Sequence, residues 1–184
     1  MPAPRALAVP PPRGQAREAL LRAAEALIRE EGFAALSVER VAARAGVSKG
    51  AFFHHFATRQ AMVEALLVAA ASDLESRVQA RVESGERFPV ALVEAFVHEA
   101  RTDCAFIAAM ISAVVLDRSV ATQVECMADA WTRRMVDDGI DEATALTVRS
   151  VLDGLVLLCL LHAPQPAPAR ELDLIRMRVL ALLT

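Results

Sequence analysis

Apolar residues along the chain recur at intervals of three and four positions, which is the pattern of amphipathic helices. In residues 16–31, Leu20, Ala24, Leu27 and Ile28 fall on one such face. Comparable patterns predict further helices at about 38–45, 49–55, 59–82, 90–101, 104–117, 119–137, 143–163 and 170–183. No segment has a clear strand pattern, so the sequence predicts an all-α fold of about nine helices.

Small residues mark the ends of the first four predicted helices. Gly32 is placed to end the first helix. Ser37, Ser48 and Thr58 are placed as N-caps of the next three. Gly46 stands between the second and third helices, where a tight turn needs the positive φ that glycine adopts most easily. Residues 38–56 therefore predict a helix-turn-helix.

The third predicted helix has a face suited to the DNA major groove. Phe52 and Phe56, at positions i and i+4, would be buried, which leaves one face of this helix exposed. A recognition helix presents its N-terminal residues to the bases, and here these residues are small or carry donors. The exposed residues would be Lys49, Gly50, Ala51, Phe53 and His54.

The charge distribution fits this interpretation better than the net charge does. The net charge is −3, which argues against a general attraction to nucleic acid. Residues 1–60 contain nine Lys/Arg and five Asp/Glu, whereas residues 61–184 contain eleven and eighteen. A basic N-terminal part on an acidic body is the distribution that DNA docking requires. The apolar fraction of 55% supplies ample material for a core.

The sequence also predicts the cellular location of the protein and the oxidation state of its cysteines. Its longest continuous apolar run, residues 154–161, is too short to span a bilayer. Residues 1–14 are rich in proline and lack the apolar core of a signal peptide, so we expect a disordered tail and a cytoplasmic protein. Cys104, Cys126 and Cys159 are widely spaced, which predicts reduced thiols in the core.

Motifs of enzymes are missing from the sequence. HExxH, GxSxG, a phosphate-binding glycine loop and a Cys/His cluster do not occur. His54 and His55 are adjacent on a predicted helix and point about 100° apart, so they cannot chelate one metal together. We therefore expect no catalysis, cofactor or metal. For redox sensing, Cys104 beside Arg101 has the most suitable surroundings of the three thiols.

Residues 36–62, "LSVERVAARAGVSKGAFFHHFATRQAM", resemble the DNA-binding signature of the TetR family of transcriptional regulators. The resemblance extends over about residues 16–66. Matching positions are Ser37, Ala42, Gly46, Val47, Ser48, Gly50, Phe53, His55, Phe56, Thr58 and Arg59. Two positions depart from the family pattern: Phe53 replaces a tyrosine that would bind phosphate, and Ala51 replaces a threonine and offers only a methyl contact.

The resemblance implies specific DNA contacts. Ser37 and Arg59 would bind backbone phosphate, and Lys49 and His54 would face the groove. Arg44 either reaches the backbone or is solvated, and the same alternatives apply to Arg40. Arg13 and Arg17 either follow the DNA as an arm or belong to a mobile tail. The candidate DNA-binding residues are Ser37, Arg44, Ser48, Lys49, Gly50, Ala51, Phe53, His54 and Arg59.

The last two predicted helices suit a dimer interface. One short recognition helix reads few base pairs, so such proteins pair two of them roughly 34–36 Å apart. Residues 151–161 are apolar all round, and the resemblance implies a four-helix interface between subunits. The alternative is that both helices are internal core. Candidate interface residues are Val151, Gly154, Leu155, Leu158, Leu172, Ile175, Val179 and Leu182.

The middle helices are where the family holds a small-molecule pocket. Met127, Trp131 and Met135 share one helix face, which suits an apolar ligand but is also a common core pattern. Candidate lining residues are Phe88, Phe96, Phe106, Met110, Met127, Trp131 and Met135. Glu94 and His98 either orient a polar ligand group or form a surface pair.

These features together predict a homodimeric TetR-like repressor. Residues 15–58 would bind a pseudo-palindromic operator in double-stranded DNA, and residues 59–184 would dimerise and bind an effector that releases it. The alternative is a helical ligand-binding or protein-interaction module that has lost DNA binding, an interpretation favoured by Phe53, Ala51 and the acidic net charge. A steep fall of DNA affinity with salt distinguishes the two.

Overall fold

The computed structural model describes residues 15–116, 118–163 and 165–184. Within these residues the fold is all-α, as predicted, and the predicted tail 1–14 lies outside them. The nine α-helices are α1 (Ala16–Glu31), α2 (Val38–Ala45), α3 (Lys49–His55), α4 (Arg59–Glu83), α5 (Phe88–Thr102), α6 (Cys104–Leu116), α7 (Arg118–Asp137), α8 (Glu142–His162) and α9 (Ala169–Leu182). A short 3-10 helix, Phe33–Ala35, follows α1.

The predicted caps of the N-terminal helices are present. Ser37 Oγ accepts a hydrogen bond from the Arg40 amide at 3.3 Å, and Ser48 Oγ accepts one from the Ala51 amide at 3.1 Å. Thr58 Oγ1 does the same for the Ala61 amide at 3.0 Å. Each cap satisfies an amide that has no partner within its own helix, so these helices start where the sequence predicts.

Helix α5 begins earlier than predicted. The sequence predicted a start after Pro89, but the helix starts at Phe88 and includes this proline in its first turn. Amides of the first turn lack an intrahelical acceptor in any case, so a proline there costs no hydrogen bond.

The chain divides into two compact units, with the boundary between Val68 and Ala69, inside α4. The sequence analysis placed the boundary about ten residues earlier, between residues 58 and 59, where α4 begins. The function of each part remains a prediction. In the first unit, Leu20, Ile28, Val41 and Phe52 are completely buried and form its core. This core sets the positions of α1, α2 and α3.

The second unit has one large apolar core built by α5 to α9 and the C-terminal half of α4. Its most buried large side chains include Phe88, Met135 and Leu172. Cys104 and Cys159 are also buried there, with their Sγ atoms 2.8 Å apart. Burial raises the pKa of the Cys159 thiol above its ordinary value, and the contact with Cys104 adds to this. The Cys159 thiol therefore stays protonated at neutral pH.

Cys126 corrects the prediction that all three thiols lie in the core. It is exposed on α7. The sequence suggested burial because it places Cys126 among apolar residues, but on a helix these neighbours project in other directions.

Candidate nucleic-acid interface and effector site

The turn between α2 and α3 depends on the backbone of Gly46. This residue has φ 69° and ψ 29°, the left-handed conformation that glycine adopts without strain. The Val47 amide bonds to the Ala42 carbonyl at 3.0 Å, and the Gly46 amide bonds to the Ala43 carbonyl at 3.3 Å. This is the pattern of a Schellman C-cap, and it directs the chain into α3 within two residues.

The N-terminal end of α3 is exposed where the sequence predicted it. Lys49, Gly50 and His54 are exposed, and Phe53 retains 46% of its accessible surface. Ala51 is half-buried, because α3 turns its other face, with Phe52, into the core. The result is a short helix with a cation, a glycine and an aromatic ring along its outer edge.

The cations of this surface are ion-paired with carboxylates of the same unit. Lys49 Nζ lies 2.5 Å from Glu39 Oε1, and this pair connects α3 to α2. Arg44 makes two bonds to Glu30, at 2.7 Å and 2.5 Å, which connect α2 to α1. Hydrogen bonds from Arg44 and Lys49 hold the pKa values of Glu30 and Glu39, respectively, below their ordinary value.

The sequence did not identify these carboxylates as part of the site. Glu39 and Lys49 are ten positions apart, and this spacing does not predict a contact unless the geometry of the turn is known. Arg40 pairs in the same way with Glu31.

Two residues predicted to bind phosphate also have structural roles. Arg59 Nε donates to the Leu36 carbonyl at 2.8 Å, and its guanidinium lies 4.9 Å from the centre of the Phe33 ring. These contacts attach the start of α4 to the segment that precedes α2. Ser37 Oγ already accepts the capping hydrogen bond from the Arg40 amide. A phosphate contact from Ser37 would therefore use the same hydroxyl group as the cap.

A small cavity lies among α5, α7 and α8 of the second unit. Its volume is about 20 Å³, enough for a single water molecule. Three of the predicted ligand residues line it, namely Phe96, Trp131 and Met135. Phe88, Phe106, Met110 and Met127 lie outside its lining, and the first three of these are core residues that are at least 93% buried. In this conformation the cavity is far below the roughly 300–1,000 Å³ of a ligand pocket.

Trp131 connects this cavity to α4. Its indole Nε1 donates to Glu75 Oε2 at 2.9 Å, and its ring meets Phe96 edge to face at a centroid distance of 5.6 Å. The other oxygen of Glu75 accepts a bond from Arg134 at 3.0 Å. The sequence did not point to Glu75, since it is 56 positions from Trp131.

An open groove of about 520 Å³ adjoins the cavity and shares Ala128, Arg149 and Asp153 with it. Arg149 bonds to Asp129 of α7, and its Nε lies 3.9 Å from Asp153 Oδ2. Partial desolvation raises the pKa of the Asp153 carboxyl, and Arg149 opposes this shift. Glu94 instead pairs with Arg176 of α9, so it does not face the cavity.

The predicted dimer residues divide between the core and the surface. Leu155, Leu172 and Val179 are at most 3% exposed in their own chain and therefore have almost no surface to offer a partner. Val151, Leu158 and Ile175 are half-buried, whereas Gly154 and Leu182 are exposed. The large apolar residues that α8 and α9 do expose are Leu146, Leu157, Leu160, Leu161, Leu174, Met177 and Leu182.

Helix α8 carries many more apolar residues than the single chain buries. Among the described residues it is long and apolar enough, by length and composition alone, to cross a membrane, with a mean hydropathy of 1.8. A core helix of a soluble protein passes the same test, but only 28% of the window in α8 is buried. Its outer face is therefore apolar surface that the single chain leaves exposed.

Comparison with known proteins identifies relatives over most of the chain. The family model described as "Bacterial regulatory proteins, tetR family" matches residues 20–66. A second, described as "Tetracyclin repressor-like, C-terminal domain", matches residues 86–184. No curated protein matches the sequence.

Solved structures share the whole fold at low sequence identity. A transcriptional regulator from Rhodococcus sp. Rha1 is 25% identical with a TM-score of 0.73, covering 91% of this chain and 95% of that one. The multidrug binding protein EbrR, complexed with malachite green, is 24% identical with a TM-score of 0.68, covering 95% and 99%. A TetR family member from Streptomyces coelicolor A3 is 23% identical with a TM-score of 0.68, covering 92% and 99%.

The helix-turn-helix geometry, the two family models and these structural neighbours agree, and the chain belongs to the TetR family of bacterial transcriptional regulators.

Proposed function

We propose that two copies of this chain bind a pseudo-palindromic operator in double-stranded DNA and repress transcription in the cytoplasm until a small-molecule effector releases them. The observation that carries this proposal is the turn at Gly46, which leaves the N-terminal end of α3 exposed. An exposed helix start of this kind is the part of a helix-turn-helix that enters the major groove.

The proposed DNA contacts follow from the exposed face of α3. Lys49 can donate to guanine O6 and N7, and His54 lies five residues further along the same helix. Gly50 lets the helix backbone approach the bases closely, and Ala51 offers a methyl group to thymine. Phe53 cannot donate to phosphate, so its exposed ring would pack against sugar or base edges.

The proposed dimer interface is the apolar face that α8 and α9 leave exposed. Leu157, Leu161, Leu174 and Met177 each retain more than half of their accessible surface. Burying apolar surface is favourable by roughly 25 cal/mol per Å². Contiguous exposed apolar patches on soluble proteins mark interaction sites. If the same face of a second copy packs against this one, the apolar surfaces of both copies are buried.

The proposed effector site is the small cavity at Phe96, Trp131 and Met135, together with the groove beside it. EbrR, which has the same fold, is described in complexes with malachite green and with ethidium. We infer that this chain also takes a small, largely apolar ligand. Because the cavity holds only about 20 Å³, the ligand would bind a minor, more open state and shift the population toward it.

Selection of bound sequences from a random duplex pool tests DNA binding and operator symmetry together. The proposal predicts enrichment of a two-fold-symmetric motif and an affinity that falls steeply with salt. The variant Lys49→Ala should lose most of this binding. If no sequence is enriched at low salt, the protein is either a helical ligand-binding or interaction module without DNA binding, or one that needs its ligand before it binds DNA.

Fluorescence of Trp131, the single tryptophan of the chain, tests the effector site. A ligand that releases the operator should also change this fluorescence, with the same concentration dependence. The variant Trp131→Phe serves as the optical control. A releasing ligand that leaves the tryptophan signal unchanged would place the effector site elsewhere.

A further inference from the structure

The recognition helix carries one cation at its exposed N-terminal end, and that cation already has an anionic partner. Lys49 Nζ lies 2.5 Å from Glu39 Oε1 in the first turn of α2. Both side chains are exposed, by 57% and 64% respectively. Glu39 is therefore already ion-paired with Lys49 at the surface where we propose that the DNA groove lies.

The same pattern extends over the first unit. Residues 15–68 contain seven Lys/Arg and six Asp/Glu, so this part of the chain is almost neutral. Five of the seven cations form ion pairs with carboxylates of the same unit, namely Arg22, Arg29, Arg40, Arg44 and Lys49. Binding DNA here means exchanging ion pairs, since most of these cations are not simply solvated.

We propose that Glu39 is a built-in competitor of DNA for Lys49 and thereby limits the affinity of the recognition helix. This inference rests on the proposed function, because it assumes that α3 binds DNA. When a base or phosphate takes Lys49, Glu39 loses its partner and is left beside the negative charge of the DNA backbone. Every DNA sequence meets this opposition, and only an operator with further good contacts overcomes it.

The geometry separates this pair from the one formed by Arg44. Arg44 binds Glu30 with two parallel bonds and connects α1 to α2, so it contributes to the fold of the unit. Lys49 and Glu39 are joined by one bond between two exposed, flexible side chains. Such pairs contribute little to stability, so the Lys49–Glu39 pair can exchange its partner without unfolding the unit.

The variant Glu39→Gln tests the proposal, with Glu18→Gln as its matched control. Glu18 is also ion-paired at the surface of the first unit, with Arg22. Each of the two variants removes one negative charge. Affinity is measured for the selected operator and for an unrelated duplex at low salt. We expect Glu39→Gln to bind both duplexes about three- to tenfold more tightly, and Glu18→Gln to change affinity by less than about twofold.

A second pair of variants shows whether Glu39 acts through Lys49. In the Lys49→Gln background, adding Glu39→Gln should recover much less affinity than it does in the wild type. Thermal unfolding of each variant verifies that the fold is retained.

Equal effects of Glu39→Gln and Glu18→Gln would overturn the inference while leaving the proposed function intact. A loss of preference at a single operator position in Glu39→Gln would also overturn it, because Glu39 would then be reading a base. Failure of the wild-type protein to bind any duplex would instead overturn the proposed function, and this inference with it.

Discussion

Two glycines four residues apart in the helix-turn-helix meet different demands. Gly46 has φ 69°, which a residue with a Cβ atom adopts only with strain. Gly50 lies inside α3, and a Cβ atom there would meet only Ser48 Oγ at an ordinary 3.7 Å. The backbone conformation requires the first glycine, whereas the second leaves space on the exposed surface that we propose faces the DNA groove.

Alanine at each position separates the two roles. Gly46→Ala should lower the free energy of unfolding by about 1 kcal/mol, because alanine is strained in the left-handed region. Gly50→Ala should leave stability equal or higher, since alanine favours helix, but weaken operator binding by placing a methyl group toward the bases. Urea unfolding and DNA titration of both variants measure this. Equal stabilities for the two variants would contradict the role given to Gly46.

The three thiols should differ in reactivity. Cys126 is exposed, whereas Cys104 and Cys159 are buried and the pKa of Cys159 is raised by that burial. Since only a thiolate reacts readily, a maleimide should label one thiol in the native protein and all three after denaturation. In Cys126→Ser, native labelling should disappear. Rapid native labelling of a second thiol would show that the buried pair is accessible.

At the scale of single helices, α8 depends on the cap at its start. Asp141 Oδ1 accepts a hydrogen bond from the Thr144 amide at 3.0 Å. Hydrogen bonds from Thr144 hold the pKa of the Asp141 carboxyl below its ordinary value. Folding lowers the pKa of this carboxyl, so the carboxylate stabilises the folded state when the pH is above the pKa of the unfolded state. This contribution is lost as the pH falls through the pKa of the folded state.

Replacing Asp141 should therefore change the response to acid. Between about pH 5 and pH 2, where aspartates protonate, the wild-type melting temperature should fall more steeply than that of Asp141→Asn. Asparagine keeps an oxygen acceptor for the cap but does not titrate. Asp141→Ala, which removes the acceptor, should have the lowest melting temperature at pH 7. Parallel pH curves for the wild type and Asp141→Asn would contradict the assigned cap.

At the scale of the whole molecule, the exposed apolar face of α8 and α9 makes the dimer testable. Leu161 and Leu174 are 73% and 52% exposed, so a charge at either position is tolerated by the single chain. In a dimer that buries this face, Leu161→Glu or Leu174→Glu would place a charge in an apolar interface. We expect monomers in sedimentation velocity. Operator affinity should fall by about a hundredfold or more, because two linked contacts become one.

Val136→Glu is the matched control for the dimer. Val136 is an apolar residue of α7 with 40% exposure, outside the proposed interface. This variant should remain dimeric and bind DNA as the wild type does. Monomers from Val136→Glu, or dimers from both leucine variants, would contradict the proposed interface.

The local features of this protein could be predicted from the sequence. Helix starts at Ser37, Ser48 and Thr58 and the turn at Gly46 depend on residues within four or five positions of one another. The burial of Phe52 beside the exposed Lys49 follows from helical periodicity alone. Cap chemistry, glycine geometry and periodicity are short-range, and for this reason the sequence by itself determined the all-α fold and the helix-turn-helix.

Only the tertiary structure decided which neighbours these residues meet. Leu155 and Leu161 lie on the same apolar helix, yet one is buried in its own chain and the other is exposed. Glu39 contacts Lys49, and Glu75 contacts Trp131, across separations that no short-range pattern encodes. A helix that is apolar all round offers several faces for burial, and the face that is used depends on packing against helices distant in the sequence.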